Sequence, residues 1–410
     1  MTAETRLPAS ASGPRIAEVD ILRGFALFGI LITNAIVATT LWSATGTRAD
    51  PVPLFDGTVD QAVRATVDAL FTGRFYLLFA FLFGYSFTLQ IAAAQRAGVT
   101  PTRRLLRRCA ALLAIGLAHV WFLWIGDILT LYAVLCLALI ALRKVKARAA
   151  ISTAIALYTV WSVWAFLPAD EPGILGLGAF LDLPKMSADY TGSFADTFAA
   201  QTATAPWFLL LIWFGQGVPS LAMFLLGMTA GNRKLLEDPA TVRRWSSRAM
   251  LIGFGLGLPV SAMTFAELMG WWNPPGIVHG LQYCVAPAMT FAYLAVVLRL
   301  ARWSRTAGIT ALLAPAGRMA ATNYIGQSVV LMLVYTGYGL ALARTVPPLA
   351  VLGIGLVTFA VQLVVSLWWL RRHPFGPVEW LLRAATYLEW PAWRRPAEPA
   401  AAQPVRTEAG

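Results

Sequence analysis

From about residue 24 to residue 370 the chain alternates long apolar runs with short polar and basic ones. Ten runs can be placed, at roughly 24–42, 75–95, 109–126, 128–142, 149–167, 206–230, 249–270, 280–298, 319–343 and 349–370. Most approach the roughly 20 residues that a helix needs to cross a hydrocarbon core of about 30 Å. The pattern predicts an all-α, polytopic membrane bundle of about ten transmembrane helices over 23–370, after an N-terminal segment, 1–22, that has no apolar run. The first run is too long for a signal-peptide core and reads as a retained helix. Between the runs, 43–74 and 168–204 form the longer outer segments. In the first, Val59, Ala62, Val63, Thr66, Val67 and Leu70 recur at helical spacing with Asp60, Arg64 and Asp68 off the stripe, which predicts a short surface helix. The second, with Asp170, Glu171, Asp182, Asp189 and Asp196 against one Lys185, is either a lid or a solvated connection. After the last run, 371–393 predicts an interfacial helix in which Glu379 and Arg383 pair at i, i+4 and Trp380, Tyr387, Trp390 and Trp393 anchor. The Pro- and Ala-rich tail, 394–410, predicts disorder.

Composition agrees with that class. Of 410 residues 58% are hydrophobic and 13% charged, with a mean hydropathy of +0.65. Sixteen Trp, eleven Tyr and twenty-two Phe suit a chain with two membrane interfaces. Cys109, Cys136 and Cys284 fall in three different predicted helices, which argues against a disulfide framework. The net charge of +12 raises the question of nucleic acid, and the placement of the charges answers it. Of the 32 Lys and Arg, 27 fall in alternate segments, and only Arg48, Arg64, Arg74, Lys185 and Arg344 fall in the others. By the positive-inside rule both termini are cytoplasmic. The expected partner is the lipid bilayer with its anionic headgroups, not nucleic acid.

A polar or ionisable side chain in the hydrocarbon costs roughly 2.5–3.5 kcal/mol on insertion scales, so each one present needs a partner or a role. The runs contain Asn34, His119, Gln216, Glu267 near an outer end, Asn323, Gln327 and Gln362. The absence of a carboxylate in the middle of any run counts against a proton- or sodium-coupled transporter. Measured from Cys109, His119 lies about 15 Å into the membrane. There it is either a general base or a neutral imidazole that ties helices together. Asp127 marks the outer turn that follows and could orient that imidazole, although eight residues of straight helix separate the two by about 12 Å. Asn323 and Gln327, four apart, either line a polar cavity or join helices. In WWNPPGIVHG (271–280) the aromatic residues suit an interfacial belt or sugar stacking. No zinc-ligand spacing, phosphate-binding glycine loop or serine elbow is present, so no metal site is expected.

The segments RIAEVDILRGFALFGILITN (15–34), GRFYLLFAFLFGYSF (73–87), GLAHVWFLWIGDILTLYAV (116–134), GRMAATNYIGQS (317–328) and FGPVEWLLRAATY (375–387) resemble, in one order, the YeiB-like bacterial membrane proteins, whose domain is of unknown function. That resemblance implies a multi-pass protein of the bacterial plasma (inner) membrane. The first helix is also similar to that of transmembrane acyltransferases, which move an acyl group from cytoplasmic acyl-CoA to an acceptor at the far face. One branch carries Arg, ten residues, then His; here Arg23 keeps the arginine place and Asn34 stands at the histidine place. A second branch, the heparan-glucosaminide N-acetyltransferase type, has Asn there and its active histidine in the next outer segment. This chain has no histidine from 35 to 118, which leaves His119 as the first available imidazole. The similarity implies acyl-CoA as co-substrate, met by Arg23 and its neighbour Asp20 at the cytoplasmic face. It implies His119 as base or acyl carrier, Asp127 as its partner, and Asn34, Asn323 or Gln327 as oxyanion donors to a small-molecule, glycan or lipid acceptor. A transporter or exporter, and a non-catalytic protein of the same fold, are the competing readings. A homo-oligomer is compatible with each.

Overall fold

The computed structural model describes residues 16–166, 181–274 and 277–395; the expected disorder of the tail from 396 on therefore lies outside the described residues, as does 167–180 of the second outer segment. Each of the ten apolar runs contains a helix, although the run 109–126 leaves helical geometry after Phe122 and the run 319–343 after Tyr335. In chain order the elements are α1 (Ala17–Trp42), the hairpin β1 (Ala44–Gly46) and β2 (Pro51–Pro53), α2 (Thr58–Leu70), α3 (Arg74–Arg96), α4 (Pro101–Phe122), α5 (Leu129–Leu142), α6 (Ala147–Trp164), α7 (Leu183–Tyr190) and α8 (Phe194–Asn232). They continue with α9 (Pro239–Leu268), α10 (Ile277–Arg302), α11 (Ala307–Ala311), α12 (Leu313–Arg318), α13 (Ala320–Tyr335), α14 (Pro348–Arg372) and α15 (Pro377–Tyr387).

Among the described residues seven helical stretches are long and apolar enough to cross a membrane, fewer than the ten expected. The difference has a physical source. At 1.5 Å per residue α5 and α13 reach only about 21 and 24 Å, and Arg148, Ser152, Thr153, Thr159 and Ser162 dilute α6. Helix starts follow local chemistry. Ser193 and Asp196 form a capping box on α8, the Asp238 carboxylate accepts from Ala240 N and Thr241 N on α9, and Pro opens α4, α9, α14 and α15.

Two helix crossings rest on glycine. Where α3 meets α8, a Cβ on Gly84 would strike the Phe224 carbonyl and one on Gly227 the Phe81 carbonyl. Gly24 and Gly317 face the Leu313 and Asp20 carbonyls in the same way where α1 meets α12. Close backbone approach of this kind supplies the van der Waals contact that holds helices together in lipid, where hydrophobic burial is no help.

The ends of the bundle differ in character. The start of α1, the end of α3, the α8–α9 link, Arg318 and α15 converge on one basic vestibule. Arg302 on α10 bridges to Glu18 on α1 at 3.1 Å at the same end. Five of the six segments that hold most of the Lys and Arg thus share an end. At the other end Trp42, Val67, Trp124, Tyr190, Met332, Tyr335 and Ala343 form a separate apolar cluster.

The outer segments also take shape. The surface helix predicted in 43–74 is α2, but its buried face is Ala65, Val67 and Ala69, while Val59 stays 59% exposed. Docking against α9 and α14 selects the small residues and leaves most of the expected stripe partly open. The described part of 168–204 is no solvated connection. Ser187 and Tyr190 of α7 are fully buried, the Ser187 hydroxyl donates to the Trp42 carbonyl at 2.8 Å, and the Tyr190 ring stacks on Trp42. Trp271 and Trp272 are exposed, as an aromatic belt requires.

Candidate active site

The site is made by a helix that stops early. His119 lies one turn before the end of α4, and Leu123 leaves helical geometry at φ −124°, ψ −80°. Residues 123–128 then cross the bundle without regular structure, with Trp124, Ile125, Asp127 and Ile128 all buried. Irregular backbone is tolerated at such depth only where protein surrounds it. The Asp127 carboxylate turns the chain into α5, accepting from Thr130 N at 2.7 Å through Oδ2. The same return brings Asp127 Oδ1 to 2.8 Å from His119 Nδ1. The separation of about 12 Å expected for a continuous helix is therefore corrected to a direct hydrogen bond.

On its other side the imidazole meets a residue that sequence reasoning did not select. His119 Nε2 lies 2.8 Å from Ser328 Oγ on α13. A serine in an apolar helix commonly bonds its own preceding turn, so its hydroxyl gave no signal beyond its place in the GQS of the family-like segment. An ionised carboxylate only accepts, so Asp127 holds the Nδ1 proton and leaves Nε2 free to accept from the Ser328 hydroxyl. Asp127, His119 and Ser328 are 0%, 2% and 1% exposed. A fully buried carboxylate thus lies within the bundle, where the apolar runs alone predicted none.

Next to this chain is Tyr324, one turn before Ser328. Its ring lies 5.0 Å from the imidazole, and its hydroxyl donates to the Gly126 carbonyl at 3.3 Å and accepts from Ile128 N at 3.4 Å. Tyr324 also lines a cavity of about 190 Å³, with Arg23, Arg108, Arg318 and Glu379 among its polar walls and Phe79, Phe83, Leu112 and Leu129 among its apolar ones. This cavity shares Arg23, Ser86, Gln90 and Arg318 with the basic vestibule, about 810 Å³, to which Arg96, Lys234 and Arg383 also contribute. Arg23 is fixed by Asp20 at 2.7 Å, the pairing expected from their spacing, and also donates to the Ser86 hydroxyl. Arg108 is different: among the described residues its buried Nε has no hydrogen-bond partner.

The amides selected from sequence lie elsewhere in the hydrogen-bond network. Asn323 Nδ2 donates to the Ala316 carbonyl and Ser366 Oγ, at 3.1 and 2.9 Å. Gln327 Nε2 donates to Gln362 Oε1 at 3.0 Å and the Leu27 carbonyl at 3.4 Å, and Gln362 Nε2 donates to the Asn323 carbonyl. Their donors are committed to joining α13 to α12, α14 and α1, so neither is free to meet an oxyanion. Asn34 is half-buried, three turns along α1 from Arg23, and no hydrogen bond joins it to His119, Asp127 or Ser328. Among the described residues the backbone N–H groups of Ile125, Gly126 and Asp127 donate to nothing, and these are the unspent donors nearest the imidazole by sequence. No cluster among the described residues has the His, Cys, Asp or Glu set to hold a metal ion.

Glu379 of α15 supports α13 from below. Its carboxylate accepts from Ala321 N at 2.7 Å, Thr322 N at 3.2 Å and Thr322 Oγ at 2.6 Å, which caps the first turn of the helix that carries Tyr324 and Ser328. The expected pairing with Arg383 is not formed, because the open amides of α13 claim the carboxylate and Arg383 instead lies over the Phe375 and Tyr387 rings. Burial raises the Glu379 pKa above the usual 4.5, against the opposing pull of these hydrogen bonds. A carboxyl whose folded pKa is raised contributes stability below its unfolded pKa and loses it as pH rises through the folded value. The melting temperature of the detergent-solubilised protein should therefore fall as pH rises above the ordinary carboxyl range, and Glu379→Gln should flatten that slope. An unchanged slope in the variant would assign the dependence to other groups.

Comparison with known proteins finds relatives along most of the chain. A family described as protein of unknown function (DUF418) matches residues 230–389, which include α13 and α15 but not α4. The uncharacterized protein YxaH of Bacillus subtilis is 29% identical over 408 residues, covering 94% of this chain and 97% of its own. The uncharacterized protein YeiB of Escherichia coli is 24% identical over 404 residues, covering 91% of this chain and 96% of its own. The chain is similar over most of its length to YxaH and YeiB. An uncharacterized 39.9 kDa protein from the amylase 3' region of Bacillus acidopullulyticus aligns at 27% identity over 91% of the chain.

Proposed function

We propose that this YeiB-like protein is a membrane-embedded acyltransferase that takes an acyl group from acyl-CoA at its basic end and passes it to a hydroxyl or amine acceptor from the opposite face. One observation carries the reading: the Asp127–His119–Ser328 hydrogen-bonded chain lies one aromatic ring away from an arginine-lined cavity. Such a chain gives an imidazole a fixed tautomer and a free Nε2, the condition for a general base in acyl transfer. Guanidinium groups suit the phosphates of the donor, and Arg108, with a buried N–H left unpaired, gains most from an anion. The positive-inside count assigns this end to the cytoplasm, where acyl-CoA is found.

Purified protein incubated with acetyl-CoA and longer acyl-CoAs should bind donor and release free CoA when acceptor pools are added. Arg23→Ala and Arg108→Ala should each weaken donor binding about tenfold, the cost of a charge-assisted contact of roughly 1.5 kcal/mol. Failure to bind any acyl-CoA, with no CoA released under any condition, would remove the enzyme reading.

A second reading is favoured by the buried carboxylate of Asp127. A buried acid–imidazole pair can also carry protons in a coupled transporter. Solute uptake into proteoliposomes that follows a proton gradient and needs no acyl-CoA would select it.

A further inference from the structure

Resting on the acyl-transfer reading, we infer that Ser328 is the nucleophile of the reaction, and that the acyl group is carried as a Ser328 ester between donor and acceptor. Three features of the site point this way. Ser328 Oγ is at hydrogen-bond distance from the one imidazole nitrogen that Asp127 leaves unprotonated, which is the position of the attacking atom in a nucleophile–base–acid relay. The hydroxyl has a second, longer contact, to the Tyr324 carbonyl at 3.4 Å, but its single proton serves the 2.8 Å bond to His119 better. The imidazole itself is held at both nitrogens, so attack by His119 on a thioester would require breaking its bond to Ser328 first.

The step balances without further reagents. Ser328 Oγ attacks the thioester carbonyl while its proton moves to His119 Nε2. The carbonyl oxygen takes the negative charge, and the unspent amides of the 125–127 turn, which leads from His119 to Asp127, are the candidate donors to it. The C–S bond breaks, the proton passes from His119 to the departing sulfur, and CoA leaves as a thiol. In the second half the acceptor O–H or N–H attacks the Ser328 ester, His119 takes its proton and returns it to Ser328 Oγ, and the acylated acceptor departs. Water is kept from the ester by the burial of Ser328.

The experiment uses full-length protein in nanodiscs, [¹⁴C]acetyl-CoA without acceptor, an acid quench, and tandem mass spectrometry of the peptide containing Ser328. Wild type should release close to one CoA per chain in a burst, and the Ser328 peptide should gain one acetyl group. Ser328→Ala should lose both burst and adduct while still binding donor and eluting as native protein. Ser328→Cys should carry the group as a hydroxylamine-sensitive thioester, which keeps the proposal testable if the alanine variant does not fold. Turnover with acceptor but no Ser328 adduct, or an adduct on His119, would overturn the nucleophile and leave acyl transfer standing. No CoA release with or without acceptor would overturn the acyl-transfer reading and the nucleophile together.

Discussion

Asp127→Asn should lower kcat for acyl transfer by about 10³–10⁴-fold, the scale seen when an acid–imidazole–nucleophile relay is given the wrong tautomer. The substitution is chosen because asparagine can keep the structural half of the Asp127 role. Its carbonyl oxygen can still accept from Thr130 N, which holds the α4–α5 turn. That choice points its NH₂ group at His119 Nδ1, where the carboxylate now accepts. The imidazole must then place its proton on Nε2, facing Ser328, and can no longer take one from the hydroxyl. The expected signature is a collapsed kcat with donor KM and melting temperature nearly unchanged. His119→Ala should reach the same floor, and the double variant should fall no further, because members of one relay are not additive. A kcat within tenfold of wild type in Asp127→Asn would take Asp127 out of the chemistry and leave it as the cap of α5.

The parts of this arrangement that could be read in the sequence are those that lipid enforces. Backbone N–H and C=O groups in hydrocarbon must be paired within the segment, so an apolar run of sufficient length has to be helical over most of its length, and each of the ten runs contains a helix. The Asp20–Arg23 pair, three residues apart at a helix start, was visible for the same reason: helical spacing fixes which side chains meet. His119 stood out because an imidazole within an apolar run is rare. Asp127 could be named only as a residue of the outer turn, about 12 Å away along a straight helix, and Ser328 gave no signal, because both contacts depend on where helices end and how they pack. Nothing in HVWFLWIGDIL (119–129) breaks a helix in apolar surroundings except Gly126, and Gly is common within membrane helices. The early stop after Phe122 is what joins Asp127 to His119, and only tertiary packing reveals it. Ser328 comes from 209 positions away, across a helix–helix contact that no local period encodes. Glu379 shows the same limit from the other side: its spacing to Arg383 was ideal, yet the open amides at the start of α13 were the stronger partner.

Access to the relay should depend on Tyr324, and removing its ring should raise the reactivity of position 328 roughly 10²-fold. In the folded state Ser328 is 1% exposed, and Tyr324 is the side chain that both touches the imidazole and lines the arginine cavity. On the proposed route, a donor thioester arriving from the vestibule would meet Tyr324 before Ser328. The tether that keeps the ring in place is weak, with contacts of 3.3 Å to the Gly126 carbonyl and 3.4 Å to Ile128 N. Thiol labelling reads this directly. Ser328→Cys in a Cys284→Ala background leaves only the buried Cys109 and Cys136 as other thiols, and a reagent added from the basic end reports on opening. When opening is fast, the labelling rate follows the open population. Tyr324→Phe removes only the hydroxyl, worth about 1 kcal/mol net, and should speed labelling about fivefold. Tyr324→Ala removes the ring and should give the full effect, at 328 and not at 109 or 136. Equal labelling in the parent and both variants would mean that the route to Ser328 does not pass Tyr324. The remaining approach would then be from the opposite end, beneath α7, and the donor would have to come from the side now assigned to the acceptor.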